Sequence, residues 1–231
     1  MASTFFGLNI GVSALNSFQV ATNTTANNIA NVKTTGYTRQ SATLTAKDAL
    51  NVTARYGSVG TGVTVTSIKQ QRDLYYDTKY WENNSCYGRY EQKLYYLDQI
   101  QNYFKDNGAS VKGFSSVFSQ MFSDLDTLRS KPSDKTVRNQ FISSAQSLCT
   151  YFNQMSDNLS KLQDDCNEEI RNRVDEINSI SEKISLLNKE INQIETGTGV
   201  EASSLRDERA NLMDNLSKIV NVSYKETPIQ N

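Results

Sequence analysis

Asp164 and Asp165, followed one turn later by Glu168 and Glu169, form the densest run of groups able to hold a cation or move a proton. A metal site needs carboxylates that converge, whereas helical neighbours point to different faces. Lys161, Arg171 and Arg173 lie within i,i+3 or i,i+4 reach of these acids, so the run reads as a solvated, salt-bridged face. The tyrosines between positions 75 and 103 offer flat amphipathic rings suited to stacking on a base or sugar. Their spacing follows one helical pattern and argues instead for core and interhelix packing. Cys86, Cys149 and Cys166 are odd in number and widely spaced, which fits neither a disulfide framework nor a zinc pair; they read as half-buried helical thiols. The chain has no His, which removes the commonest general base and metal ligand. It also carries no phosphate-cradling Gly loop and no nucleophile motif. No enzyme, no catalytic residue, no metal and no cofactor is expected.

The apolar pattern, by contrast, is pronounced. Leu8, Gly11, Leu15, Phe18, Thr22, Thr25, Ile29 and Val32 alternate at spacings of three and four, which is a heptad seam. A period of 3.5 keeps one narrow stripe toward a partner helix. Gly11, Thr22 and Thr25 add little apolar area, so residues 1–36 form a candidate assembly helix expected to be disordered alone and to order on packing. Asn27, Asn28 and Asn31 then crowd the helix end with amides that compete for backbone hydrogen bonds, and Gly36 permits a sharp turn. That cluster is either a helix stop presenting amides to neighbouring chains or a capped terminus with no contact role.

Residues 37–70 read as a small extended region: Thr38, Ala42, Leu44, Thr45 and later Val63, Val65 and Ser67 surround turns at Gly57, Gly60 and Gly62. Residues 71–231 read as a long α-helical rod domain. In it Tyr80, Tyr87, Tyr90, Leu94, Leu97, Gln101 and Phe104 continue the alternation, with a stop at Asn107-Gly108. A shorter helix carries Phe114, Phe118, Met121, Leu125 and Leu128, and Pro132 is placed in the first turn of the next. From Ala145 to Ile194 the seam persists, within a helix that starts near Pro132 and runs for about sixty residues, roughly 90 Å at 1.5 Å per residue. A link with Gly197 and Gly199 follows, Ser203 or Ser204 is a suitable N-cap, and Leu205, Leu212, Leu216 and Ile219 form a returning helix. Val220, Val222 and Tyr224 alternate like the start of a strand without a partner, which implies continuation beyond Asn231. The expected fold is mainly α: an antiparallel long-helix bundle with a small β excursion between the first and second helices.

With 24 Lys and Arg interleaved with 25 Asp and Glu, the chain shows no basic footprint for nucleic acid and no polybasic stretch for a membrane surface. Apolar runs such as Leu186-Leu187 fall far short of the ~18 residues that span a bilayer, and the N-terminus lacks a basic run followed by an apolar core.

Phe5-Phe6-Gly7-Leu8, Asn23-Thr24-Thr25, Asn27-Asn28-Ile29-Ala30-Asn31-Val32 and Thr35-Gly36-Tyr37-Thr38-Arg39-Gln40 resemble the amino terminus of the flagellar rod, hook and hook-associated protein family. The hook-associated protein 1 branch is the nearest in those residues. Leu205-Arg206-Asp207-Glu208-Arg209 through Leu212 and Leu216 is similar to a second pattern of that branch, with its Arg-Asp pair displaced along the seam. The resemblance implies signature residues at Asn27, Asn28, Ile29, Ala30, Asn31, Gly36, Tyr37, Arg39 and Gln40. It also implies a structural junction between hook and filament, outside the cell, exported by the flagellar type III apparatus without a cleaved signal peptide. The implied partners are other copies in a ring or tube, with the first helix in the inner layer, the hook protein and the next junction protein. Other readings are a hook or rod protein, or a secreted coiled-coil binding module.

Overall fold

The computed structural model describes residues 5–51, 57–106 and 113–225. It is mainly α, with small antiparallel strands between the first and second helices, and it divides into two compact units. One comprises residues 1–86 and 177–231, the other residues 87–176. The first unit therefore joins the N-terminal segment to the last helices, a grouping that the linear partition at 36 and 70 does not anticipate.

In the first unit, α1 (Phe6–Ala30) lies against a two-stranded ribbon of β1 (Gln40–Ala46) and β4 (Val63–Gln70). The ribbon is antiparallel, pairs Gln40 with Gln70 and Ala46 with Val63, and is bulged between Thr43 and Leu44. A two-residue pair, β2 (Leu50–Asn51) with β3 (Ser58–Val59), forms a separate antiparallel sheet. The first helix, which the sequence suggests orders on packing, is docked on the ribbon through polar bonds. Ser17 Oγ donates to the Val63 carbonyl at 3.2 Å, and Ser13 Oγ accepts from Val63 N–H. These polar docking bonds lie on the face opposite the apolar seam, where a count of apolar positions does not register them. Thr22, Thr24 and Thr25 hydroxyls donate to carbonyls four residues back, so a threonine-rich stretch stays helical with its polar groups satisfied.

The first part of α2 (Leu74–Tyr103) and the last part of α4 (Lys135–Thr198) complete this unit with α5 (Ser203–Ile219). Ile180, Leu187 and Ile191 turn the predicted α4 seam inward here. Trp81 is 3% exposed; its indole N–H donates to Asp214 Oδ1 at 2.7 Å. Asn84 Nδ2 donates to both the Asp214 carbonyl and Ser217 Oγ. Neither Ser203 nor Ser204 caps α5: Ala202 occupies the N-cap position, and the Glu195 carboxylate accepts from its N–H at 3.0 Å. Val220 is extended, yet residues 221–225 form no strand. Pro228, like the expected stop at Asn107-Gly108, lies outside the described residues.

The second unit holds the remainder of α2, then α3 (Phe114–Ser130) and the first part of α4. Phe114 stacks on Phe118 and meets Tyr151 and Phe152, while Val117 and Met155 are buried. Pro132 sits in the α3–α4 turn, ahead of the first helical turn, and its carbonyl accepts from Arg138.

The seam expected to pack α2 is turned to solvent instead, since Tyr80, Tyr87, Tyr90, Leu94, Leu97 and Phe104 are all exposed. Trp81, Asn84, Ser85, Gly88, Gln92 and Tyr96 form the inward face. Small and hydrogen-bonding residues allow closer approach there than bulky rings would.

Candidate assembly site

The end of α1 and the turn behind it form a closed polar knot. Asn28 Nδ2 donates to the Gln40 carbonyl at 2.8 Å and Asn28 Oδ1 accepts from Gln40 N–H at 2.9 Å, so one side-chain amide pairs with a strand residue as a neighbouring strand would. Tyr37 Oη donates to Asn28 Oδ1 and accepts from Asn27 Nδ2. Asn31 Nδ2 donates to the Asn27 carbonyl and to Asn27 Oδ1, and Asn31 Oδ1 accepts from Thr34. Asn27, Asn28, Asn31, Tyr37 and Gln40 are thus brought together within the chain, while Ile29, Ala30 and Arg39 remain exposed beside them.

Gly36 closes the turn at φ +76, and a Cβ there would meet the Asn211 amide of α5 at 1.8 Å. Burial, then the nearby Asp207 carboxylate, push the Tyr37 hydroxyl above its ordinary pKa. The signature turn is therefore seated on α5, a long-range contact that no local spacing encodes.

The predicted assembly seam is exposed along its length. Leu8, Leu15, Phe18 and Ile29 are 62%, 68%, 60% and 69% exposed, and Gly11, Thr22 and Thr25 share that face. Ser17 and Thr24, on the other face, are buried. This helix sinks its hydroxyls and bares its leucines and phenylalanine, an apolar stripe that nothing among the described residues covers.

Sequence reasoning missed the clasp that holds the α4–α5 link. Arg206 donates to both Glu195 oxygens, at 2.6 and 2.8 Å, and Arg209 donates to Asn188 and Tyr224. These arginines belong to the quoted Arg206–Arg209 motif; their partners across a hairpin were the unread signal. Hydrogen bonding from Arg206, opposed by burial and aided by the Ala202 N–H, holds the Glu195 carboxyl below its usual range. In the second unit Glu169 is the member of the acidic run with an ion pair among the described residues: Arg173 bridges it to Glu176, which lies outside the run, and Tyr96 donates to Glu169 at 2.8 Å. Cys86 and Cys149 are exposed and only Cys166 is half-buried.

Residues 97–230 match the profile of the flagellar hook-associated protein FlgK helical domain, and residues 8–38 that of the flagella basal body rod protein. The chain is 33% identical over 98% of its length to flagellar hook-associated protein 1 of Bacillus subtilis, and 32% identical over 93% to that of Salmonella typhimurium. It is 29% identical over 93% to that of Escherichia coli. It spans 46%, 38% and 39% of those relatives' own lengths.

Proposed function

The chain belongs to the flagellar hook-associated protein FlgK family, and from that premise we propose that it is a structural, non-catalytic part of the junction between hook and filament, outside the cell. The observation that carries the reading is the bare apolar stripe of α1 on a helix whose opposite face is already docked. In a tube of repeating subunits that stripe, Leu8 to Ile29, packs against a helix of the same assembly; other copies, the hook protein and the next junction protein are its partners. Export proceeds in an unfolded state through the flagellar type III apparatus. The shallow docking of α1, through hydroxyls and small side chains, suits that route because its leading end opens at low cost. Among the described residues no helix is long and apolar enough to cross a membrane.

A hook or rod role is the second reading, favoured by the basal body rod match at residues 8–38. Deleting the gene in its source bacterium separates the two. Hooks without filaments, with flagellin lost to the medium, are expected. Absence of hooks moves the assignment to a hook or rod protein, and normal filaments overturn the junction role.

A further inference from the structure

We propose that the outer edge of β1 is a strand-addition site that receives the β2 segment of a second copy of the chain. The inference rests on the self-association proposed above and names its contact.

In the antiparallel ladder the N–H and C=O of a residue point together, either to the partner strand or away from it. Arg39 accepts from Gln71 N–H across the ribbon, whereas Gln40 turns both its groups outward to Asn28. Alternation then turns Ala42 outward and, past the bulge, Leu44 and Ala46 as well. Among the described residues no partner meets the backbone groups of these three. The opposite edge of the ribbon is covered at both ends: Val63 is bonded to Ser13 and Ser17, and Gln70 N–H donates to Glu201. Natural sheets blunt an open edge with Lys, Pro or inward charge, yet Gln40-Ser41-Ala42-Thr43-Leu44-Thr45-Ala46 contains no such residue. Asn28 is a first rung already in place, and a groove of about 600 Å³, lined by Thr24, Asn28, Ile29, Val32, Arg39 and Ala42 among others, runs beside it.

The occupant is indicated by chemistry on the same chain. Arg39 is the charged residue of the groove, exposed and without an ion-pair partner among the described residues. Asp48 is exposed and equally unpaired, two residues before Leu50, which is 48% exposed on a hairpin of two-residue strands. Strands that short are marginal in water and gain from a third. Seated on the β1 edge of a neighbour, the segment sets Asp48 toward Arg39 and Leu50 toward Ile29 and Val32. Donor and acceptor surfaces differ, so the contact is heterologous and builds a ring or a helical array rather than a symmetric dimer. Backbone bonds hold it, and the exposed charge pair selects its register.

The test uses the full chain in its source bacterium, with Cys86, Cys149 and Cys166 replaced by Ser. Ala42→Cys combined with Leu50→Cys, treated with a short bismaleimide on isolated flagella, is expected to give a ladder of cross-linked multimers that neither single substitution gives. Ala42→Pro, which removes an outward N–H at an edge position that tolerates proline, is expected to leave helical content unchanged and abolish incorporation. Arg39→Asp is expected to reduce incorporation, with Asp48→Arg in the same chain restoring it. No ladder while filaments still grow on this protein, or normal incorporation of Ala42→Pro, overturns the edge pairing and leaves the junction role standing. A ladder in cells whose filaments form equally well without the gene overturns the junction role alone.

Discussion

Asn28 commits its whole amide to Gln40 and accepts from Tyr37 as well, so it links helix, turn and strand through a single side chain. Truncation strips two backbone groups of their partner. Asn28→Ala is expected to cost about 1–3 kcal/mol, read as a fall in melting temperature of about 2–4 °C per kcal/mol in a chain of this size. Asn31, on the exposed rim of the knot, is expected to cost distinctly less when truncated. Gly36 answers a different demand. Its left-handed backbone and the Asn211 amide against it exclude a Cβ on two counts. Gly36→Ala is therefore expected to destabilise, and Asn211→Ala in the same chain to recover the steric part but leave about 1–2 kcal/mol of backbone cost. A double-mutant cycle on thermal melts measures the two components; full recovery would mean that the turn relaxes out of the left-handed region.

At the scale of elements, α5 is held from both ends by half-buried acids of opposite behaviour. Glu195, clasped by Arg206, has its folded pKa below the unfolded one. The native state then binds fewer protons, so the contribution is complete above the ordinary value of 4.5 and is lost as pH falls through the depressed folded value. Glu195→Gln is expected to flatten the acid limb of urea midpoint against pH; an unchanged limb would exclude the clasp as its source. Asp214 is pushed the other way: burial raises it, with the Trp81 N–H and Arg72 opposing. The native state gains protons there first, so this carboxyl adds stability as pH falls from the raised value toward the ordinary 3.8. Trp81 is the one tryptophan and touches this carboxylate, so its fluorescence reports the event. A transition with a midpoint above 3.8 is expected, absent in Asp214→Asn; a midpoint at or below the ordinary value would overturn the assignment.

For the whole molecule, the exposed α1 stripe separates folding from assembly. Leu15→Asp with Phe18→Asp alters side chains that are 68% and 60% exposed, so unfolding free energy is expected to change by no more than about 0.5 kcal/mol per site. Incorporation into flagella, read by complementation of a deletion strain, is expected to be lost; full motility would remove the stripe from the assembly reading. The helices, the small β excursion and the seam residues were legible in the sequence because a heptad period, a glycine turn and the scarcity of proline act over a few residues. Sidedness was not legible. The same alternation faces solvent on α1 and α2 and turns inward on α4 at Ile180, Leu187 and Ile191. A period states which residues share a face, and only the neighbouring elements decide whether that face is covered. The Asn cluster was readable as a helix stop, but its engagement with Gln40 depended on where β1 returns. Trp81 with Asp214, 133 residues apart, and Gly36 with Asn211 meet only because the chain closes on itself; local spacing carries no trace of a contact whose two halves are joined by tertiary packing alone.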